Sequence, residues 1–219
     1  MKRKALSISA LLICVIVLMT GCTNAFKSDD FCKVLQKHGE TKFRNLDSFN
    51  SQWGYSSSSS SSVIPNVDGD INPDGTIKTP TYYISKDSEE ADLMFKDQID
   101  QRNEMDIYLE EMVIAHPNDR DLLYFMNAKQ EYSAQDIYDY FASLLDEFYD
   151  EYKEEQSAAV SSGNKNGYSY KIAKYKKDDL GECGGGIYKK GNTIILIDTS
   201  NGDDFFFKEL GLVSPFDMK

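Results

Sequence analysis

The chain has 219 residues, of which 24 are Lys or Arg and 36 are Asp or Glu, giving a formal charge of −12. A surplus of that sign repels polyanions, which excludes nucleic acid as a partner and makes an anionic bilayer a poor one without some other attachment. The length suits one domain with an arm.

In chain order, Met1-Lys2-Arg3-Lys4 is a basic cluster, followed by an apolar stretch from Ala5 to Met19 broken only by Ser7 and Ser9. That stretch is short of the roughly 20 apolar residues a spanning helix needs, and it has the length of the hydrophobic part of a secretion signal. It runs into Leu18-Met19-Thr20-Gly21-Cys22, with the small Gly21 directly before a cysteine. This segment resembles the lipobox of bacterial lipoproteins, with Met19 standing where Leu is most frequent. The resemblance covers residues 1–22 and implies nothing about the fold beyond. It implies cleavage before Cys22, a diacylglyceryl thioether on that cysteine, and attachment of the chain to the extracytoplasmic face of the cell membrane. Loss of residues 1–21, which carry three bases and no acid, leaves 198 residues with a charge of −15. The membrane is then a partner through lipid on Cys22 rather than through the protein surface.

Residues 22–55 read as a tether with short helical pieces. Ser28 is a candidate N-cap, Asp29 and Asp30 suit a first turn, and Phe31, Val34 and Leu35 form an apolar stripe before Gly39. Phe43, Leu46, Phe49 and Trp53 repeat at helical spacing. Residues 56–80 read as a linker: Ser56–Ser62 is pure serine, and Val63–Pro80 is rich in Pro, Gly, Asp and Asn. Such a linker suggests that the N-terminal segment stays near the membrane while a module spanning 81–219 extends away.

Within that module, Ala91, Phe95, Ile99, Met105, Leu109 and Met112 predict helix from about Ser88 to Ala115, ended by His116-Pro117. A second short helix is expected over Asp119–Lys129, burying Leu122, Leu123 and either Phe125 or Met126. A third opens at Ser133 and places Ile137, Phe141, Leu144, Phe148 and Tyr152 on one face, opposite an acidic one, and frays before Ser161-Ser162-Gly163. The period then changes. Tyr168–Tyr175 alternates as a strand, Gly181–Gly186 reads as a glycine-rich bend, and Ile187–Asp198 as a hairpin turning at Lys190-Gly191-Asn192. Ile194–Ile197 is uniformly apolar, which marks a strand covered on both faces. Asp204–Leu210 reads as a short helix stopped by Gly211. The expected fold is α+β, with two or three amphipathic helices packed on a small C-terminal antiparallel sheet.

Few residues suggest chemistry. Asp70-Ile71-Asn72-Pro73-Asp74-Gly75-Thr76-Ile77 resembles the opening of an EF-hand or dockerin calcium loop. Asp70, Asn72 and Asp74 would give side-chain oxygens and Thr76 its carbonyl, with Gly75 at the sharp turn. The pattern departs at Lys78 and at Thr81, which stands where a bidentate acid is needed, and the same residue types also serve plain turns. Calcium is the one cofactor this loop implies. Cys32 and Cys183 are the thiols left beyond Cys22. They form either a disulfide stapling arm to sheet or two separate buried thiols, and spacing alone does not choose. His38 and His116 are the only near-neutral bases, and no nucleophile–base pattern accompanies Cys183. Tyrosines along 132–152 and the Phe205–Phe207 triple are either core or interface.

These features favour a non-enzymatic, surface-anchored module binding an envelope protein or peptide. The alternatives are an enzyme or accessory acting on wall or glycan material, and a weak calcium binder. Labelled fatty acid enters the wild-type protein in growing cells and fails to enter Cys22→Ser; incorporation that survives the substitution removes the anchor.

Overall fold

A computed structural model describes residues 25–38, 81–100, 105–117, 121–154, 157–177, 181–200 and 202–219. Cys22, the helical repeat over 42–53, the serine linker and the Asp70–Thr76 loop lie outside them. The elements are α1 (Ser28–His38), β1 (Thr81–Ser85), α2 (Ser88–Gln98), β2 (Leu109–His116), β3 (Leu122–Ala128), α3 (Glu131–Tyr152), β4 (Ala159–Lys165), β5 (Tyr168–Lys177), β6 (Gly181–Lys190), β7 (Thr193–Thr199) and α4 (Phe205–Glu209). The fold is α+β. The sheet is not small and not confined to the C-terminus: seven antiparallel strands run in the order β1-β2-β3-β7-β6-β5-β4.

The expected helix over Ser88–Ala115 is two elements. α2 begins where Asp87 accepts hydrogen bonds from the Glu89 and Glu90 N–H groups at 2.9 and 3.2 Å, and it ends at Gln98. Beyond it, Leu109–His116 is strand β2, and the expected helix over Asp119–Lys129 is strand β3. Both carry continuous apolar runs, Met112–Ala115 and Leu122–Met126. Periodicity cannot tell such a run from a buried helix, and burial on both faces of a sheet decides for strand. Met112, Ile114, Tyr124 and Met126 face one core, while Val113, Ala115, Leu123 and Phe125 face the other.

α2 and α3 cover the first face, and Ala91, Met94, Phe95, Ala134, Ile137 and Leu145 pack there against Ile187, Ile194 and Leu196. The second face is covered by α1, α4 and the C-terminal 3-10 turn Pro215–Asp217. Phe31, Val34 and Leu35 of α1 are buried among Phe125, Ile195, Phe206 and Phe207, so this helix is part of the folded body rather than of a separate arm. α4 matches its expectation, with Gly211 in the left-handed region at φ 68° just past its end.

Two strands correct the reading of the C-terminal part. β4 lies where the chain was expected to fray, turning into β5 through Asn166-Gly167, both at positive φ (51° and 78°). Asn-Gly between two runs is the strongest short hairpin signal, and it was legible there. Gly181–Gly186 is no bend but the first six residues of the inner strand β6. Its glycines make room. A Cβ on Gly184 would lie 2.7 Å from the Phe216 ring and 2.8 Å from Pro215, and one on Gly186 would lie 2.7 Å from the Tyr188 ring. Tyr188 is fully buried across this gap and donates its hydroxyl to the Val213 carbonyl at 2.6 Å.

No disulfide joins Cys32 to Cys183. Side chains alternate along β6. Gly184 points at Pro215 on the second face and Gly185 at Leu145 on the first, so Cys183 belongs to the first face. Cys32 packs with the second-face core, and the sheet stands between the two thiols. Burial, and then the nearby Glu111 carboxylate, push the Cys32 thiol up to about 11.

Gly186→Ala loses about 1–3 kcal/mol in urea unfolding, because the buried Tyr188 ring must move off its carbonyl partner. A loss within a few tenths would show that the ring yields freely.

Candidate functional site

Strand register places the β1–β2 opening, the start of β3, the ends of β5 and α3, and the end of β7 at one end of the sheet. There, between the end of α2 and the second half of α3, the first face holds a groove of about 280 Å³. Phe141, Leu144, Leu145 and Phe148 of α3 form its wall, spaced at three and four residues so that one helix stripe faces it. Leu122 and Tyr124 of β3, Leu196 and Asp198 of β7 and Gly185 of β6 form its floor, and Ile99 closes the α2 side. Gly185 keeps the floor low, since a Cβ there would already touch Leu145 and the Ile197 carbonyl at 3.4 Å.

The groove has an aromatic flank. The Tyr175 ring lies nearly parallel to Tyr152, with centroids 4.7 Å apart at 15°, and to Phe148 at 6.1 Å and 12°. Phe148 remains 43% exposed and Tyr140, on the same rim, 40%, so aromatic surface is open to solvent at the groove mouth. This divides the aromatic residues between the two expected roles: Phe206 and Phe207 are core, whereas Tyr132, Tyr140 and Phe148 are exposed.

Asp198 is the one acid among the described groove-lining residues. It pairs in register with Gly185 on one side and Leu122 on the other. Its side chain keeps solvent-exposed surface while the walls of the concavity surround it. That enclosure, and then the neighbouring Asp121 carboxylate, push Asp198 up to about 6, with Lys177 opposing. Asp121 itself is buried and accepts the Ser200 N–H at 3.1 Å. Tyr175 is also pushed up, by burial first and by Asp198 next.

Comparison with family models, with curated proteins and with solved structures finds no match for this chain.

The remaining candidates from the sequence lie elsewhere. His38 packs its ring on Phe205 and Phe206 of the second face at 5.2 and 4.8 Å. His116 ends β2, not a helix, and burial lowers its pKa. Cys183 is buried on the first face, with its thiol 3.9 Å from the Gly181 carbonyl. Among the described residues no group of three His, Cys, Asp or Glu is placed to hold a metal, and Asp70, Asn72, Asp74 and Thr76 lie outside them. Asp198 was read only as the end of a hairpin strand. Its signal was a lone acid closing the apolar run Ile194–Ile197, at a position the alternation assigns to the same face as Leu196.

An acid whose pKa rises on folding stabilises the fold fully only below its unfolded value, and loses that contribution as pH climbs through the folded value. Between about pH 4 and 6, and above, ionised Asp198 therefore works against folding. A rise from 3.8 to about 6 is roughly 3 kcal/mol for an enclosed group. Water on its open side cuts this to on the order of 1 kcal/mol. Asp198→Asn is thus expected to raise Tm at pH 7.5, with the gain vanishing near pH 4. A variant no more stable than wild type at pH 7.5 contradicts this.

Proposed function

We propose that this chain is a lipoprotein anchored through Cys22 on the extracytoplasmic face of the membrane, whose folded body binds a protein or peptide partner without chemical turnover. The observation that supports binding is the groove: an apolar trough with a stacked aromatic flank, open at its mouth, and one carboxylate on its floor. This combination suits a segment that carries an apolar or aromatic side chain beside a Lys or Arg. The apolar group fills the trough, the long stem lies along Phe148 and Tyr175, and the cation meets Asp198.

The end of α3 supports the sign of that partner. Glu147 and Glu151 are exposed there and the last turn contains no base, while Asp150 is partnered at 3.6 Å by Lys153 just beyond the helix. Acids at the negative end of a helix dipole cost stability by a few tenths of a kcal/mol each, and they favour an incoming cation. Asp198 is likewise a group that destabilises the empty fold, the expected trade at a binding site. A glycan-cleaving activity draws less support, because it needs two carboxylates reaching the substrate. Asp121 is buried and committed to the Ser200 N–H.

Fluorescence anisotropy with short peptides carrying Lys or Arg between Leu and Phe tests the reading, against controls with Glu in place of the base. The basic peptides bind, and Tyr175→Ala and Asp198→Asn each weaken them by about tenfold in variants whose circular dichroism is unchanged. Affinity also falls between pH 7.5 and 5, as Asp198 takes up its proton. Equal binding of the acidic controls, or affinity indifferent to both substitutions, overturns the proposal.

A further inference from the structure

Phe26 is fastened to the folded body. Its N–H donates to the Thr193 hydroxyl at 2.8 Å, its ring lies 5.8 Å from that of Tyr168, and the Lys190 ammonium sits 5.9 Å from its centre. Thr193 opens β7, Lys190 closes β6 and Tyr168 opens β5. The chain therefore enters the body at the end of the sheet opposite the groove. Phe26 is four residues after Cys22. At about 3.3–3.6 Å per residue, an extended chain of that length spans at most about 14 Å. The serine linker cannot lengthen this tether, because it comes after α1, and α1 is part of the body.

Four lysines ring the same end of the sheet. Lys27 precedes α1, Lys129 follows β3, Lys165 closes β4 before the Asn166-Gly167 turn, and Lys190 closes β6. Lys27, Lys129 and Lys165 are exposed and Lys190 is half-buried; among the described residues no ion pair engages any of the four. Glu131, at the start of α3, lies 3.9 Å from Lys189. Asp30 is held by Lys33 at 3.0 Å and Glu209, which lines one hollow with Lys27 and Lys190, by Lys37 at 2.6 Å, while Asp106 hydrogen-bonds Tyr108, the ring beneath Lys129. Four lysines thus ring the chain entry, while the far end is mixed, with Asp121, Asp198, Asp203 and Asp204 beside the exposed Lys176 and Lys177 that close β5.

We infer that the β3–β4 half of this end, with Lys27, Lys129, Lys165 and Lys190, is a docking surface for anionic phospholipid headgroups, which fixes the body on the bilayer with its groove facing away. The inference rests on lipid attachment at Cys22. The occupant is set by two independent observations. A tether of about 14 Å is shorter than the roughly 30 Å length of the ten-residue strands, so this end is the one held near the lipid. Each lysine within a Debye length of an anionic surface adds attraction of about 1 kcal/mol, and the rest of the mature chain, with 17 bases against 36 acids and a net charge of −19, is repelled outward. Surface charge and tether therefore select the same orientation.

The test uses the full chain, expressed with its leader, purified from membranes and checked for lipid on Cys22 by mass spectrometry. Nitroxide labels are placed at Asn164→Cys, beside the lysine turn, or at Glu182→Cys, at the far end; Cys32 and Cys183 are buried and label poorly. The protein is reconstituted in nanodiscs of phosphatidylcholine, alone or with 30% phosphatidylglycerol, doped with a gadolinium-headgroup lipid. Relaxation of the label at 164 is expected to exceed that at 182 at least fivefold on the anionic discs. The ratio is expected to fall at least twofold in 0.5 M salt, on neutral discs, or in a Lys27→Gln, Lys165→Gln, Lys190→Gln variant. Equal relaxation at both positions, or a larger effect at 182, overturns the orientation. A ratio indifferent to lipid charge, salt and the three lysines overturns the headgroup contact. A Cys22 without lipid overturns the anchor itself and this inference with it, and mass spectrometry separates that result from the others.

Discussion

The structure depends on two strands that are apolar on both sides. Leu123–Met126 of β3 and Ile194–Ile197 of β7 pair at the middle of the sheet and send alternate side chains into two separate cores. A sheet of this kind cannot leave one face to water, so each face requires its own cover. α2 and α3, from the connections between strands, supply the first. The second must come from outside the strand succession. It is assembled from α1, which precedes every strand, and from the chain after β7. Those distant pieces meet directly, with Lys37 bonded to Glu209 at 2.6 Å and His38 against Phe206. The burial of Phe31 and Leu35 thus makes the N-terminal helix part of the folded body.

β6 reconciles the two faces. Its glycines remove side chains where both layers press closest, with Gly184 and Gly186 yielding to Phe216 and Tyr188 on one side and Gly185 to Leu145 on the other. Glycine weakens a strand by its entropy and lack of packing, and this cost is offset when an aromatic ring lies across the gap. On the first face the low floor at Gly185 leaves the groove beside it and gives Asp198 an enclosed position. A carboxylate set between apolar walls costs the fold modestly, on the order of 1 kcal/mol, because it keeps solvent-exposed surface. The groove and the glycine run are therefore one feature seen from two sides.

Antiparallel register also gathers lysines around the chain entry. The turns at one end of the sheet fall after Ala128, Lys165 and Lys190, and those at the other fall near Asp121, Asp198 and Asp203. The net charge of the chain conceals this cluster, because acid outnumbers base overall. α3 spans the two ends, and its acid-rich last turns lie at the groove end, where the helix dipole is also negative.

Residues with a local cause were readable from the sequence. Asp29 and Asp30 in the first turn of α1, Gly211 past α4, the long amphipathic stripe of α3 and the hairpin at Lys190-Gly191-Asn192 all stand where their own chemistry put them. The runs Met112–Ala115 and Leu122–Met126 were misread as helix because a continuous apolar segment has no period to read, and only its neighbours decide its state. The lipobox pattern and the acidic surplus likewise belong to the sequence alone. Tertiary structure decided what separated segments do to one another. It put Cys32 and Cys183 on opposite faces of a seven-stranded sheet and folded α1 into the body. It also brought Asp198, Tyr175 and Phe148 from three elements into one groove. Such contacts arise when two-sided burial is satisfied across the whole chain at once, and no local spacing encodes them.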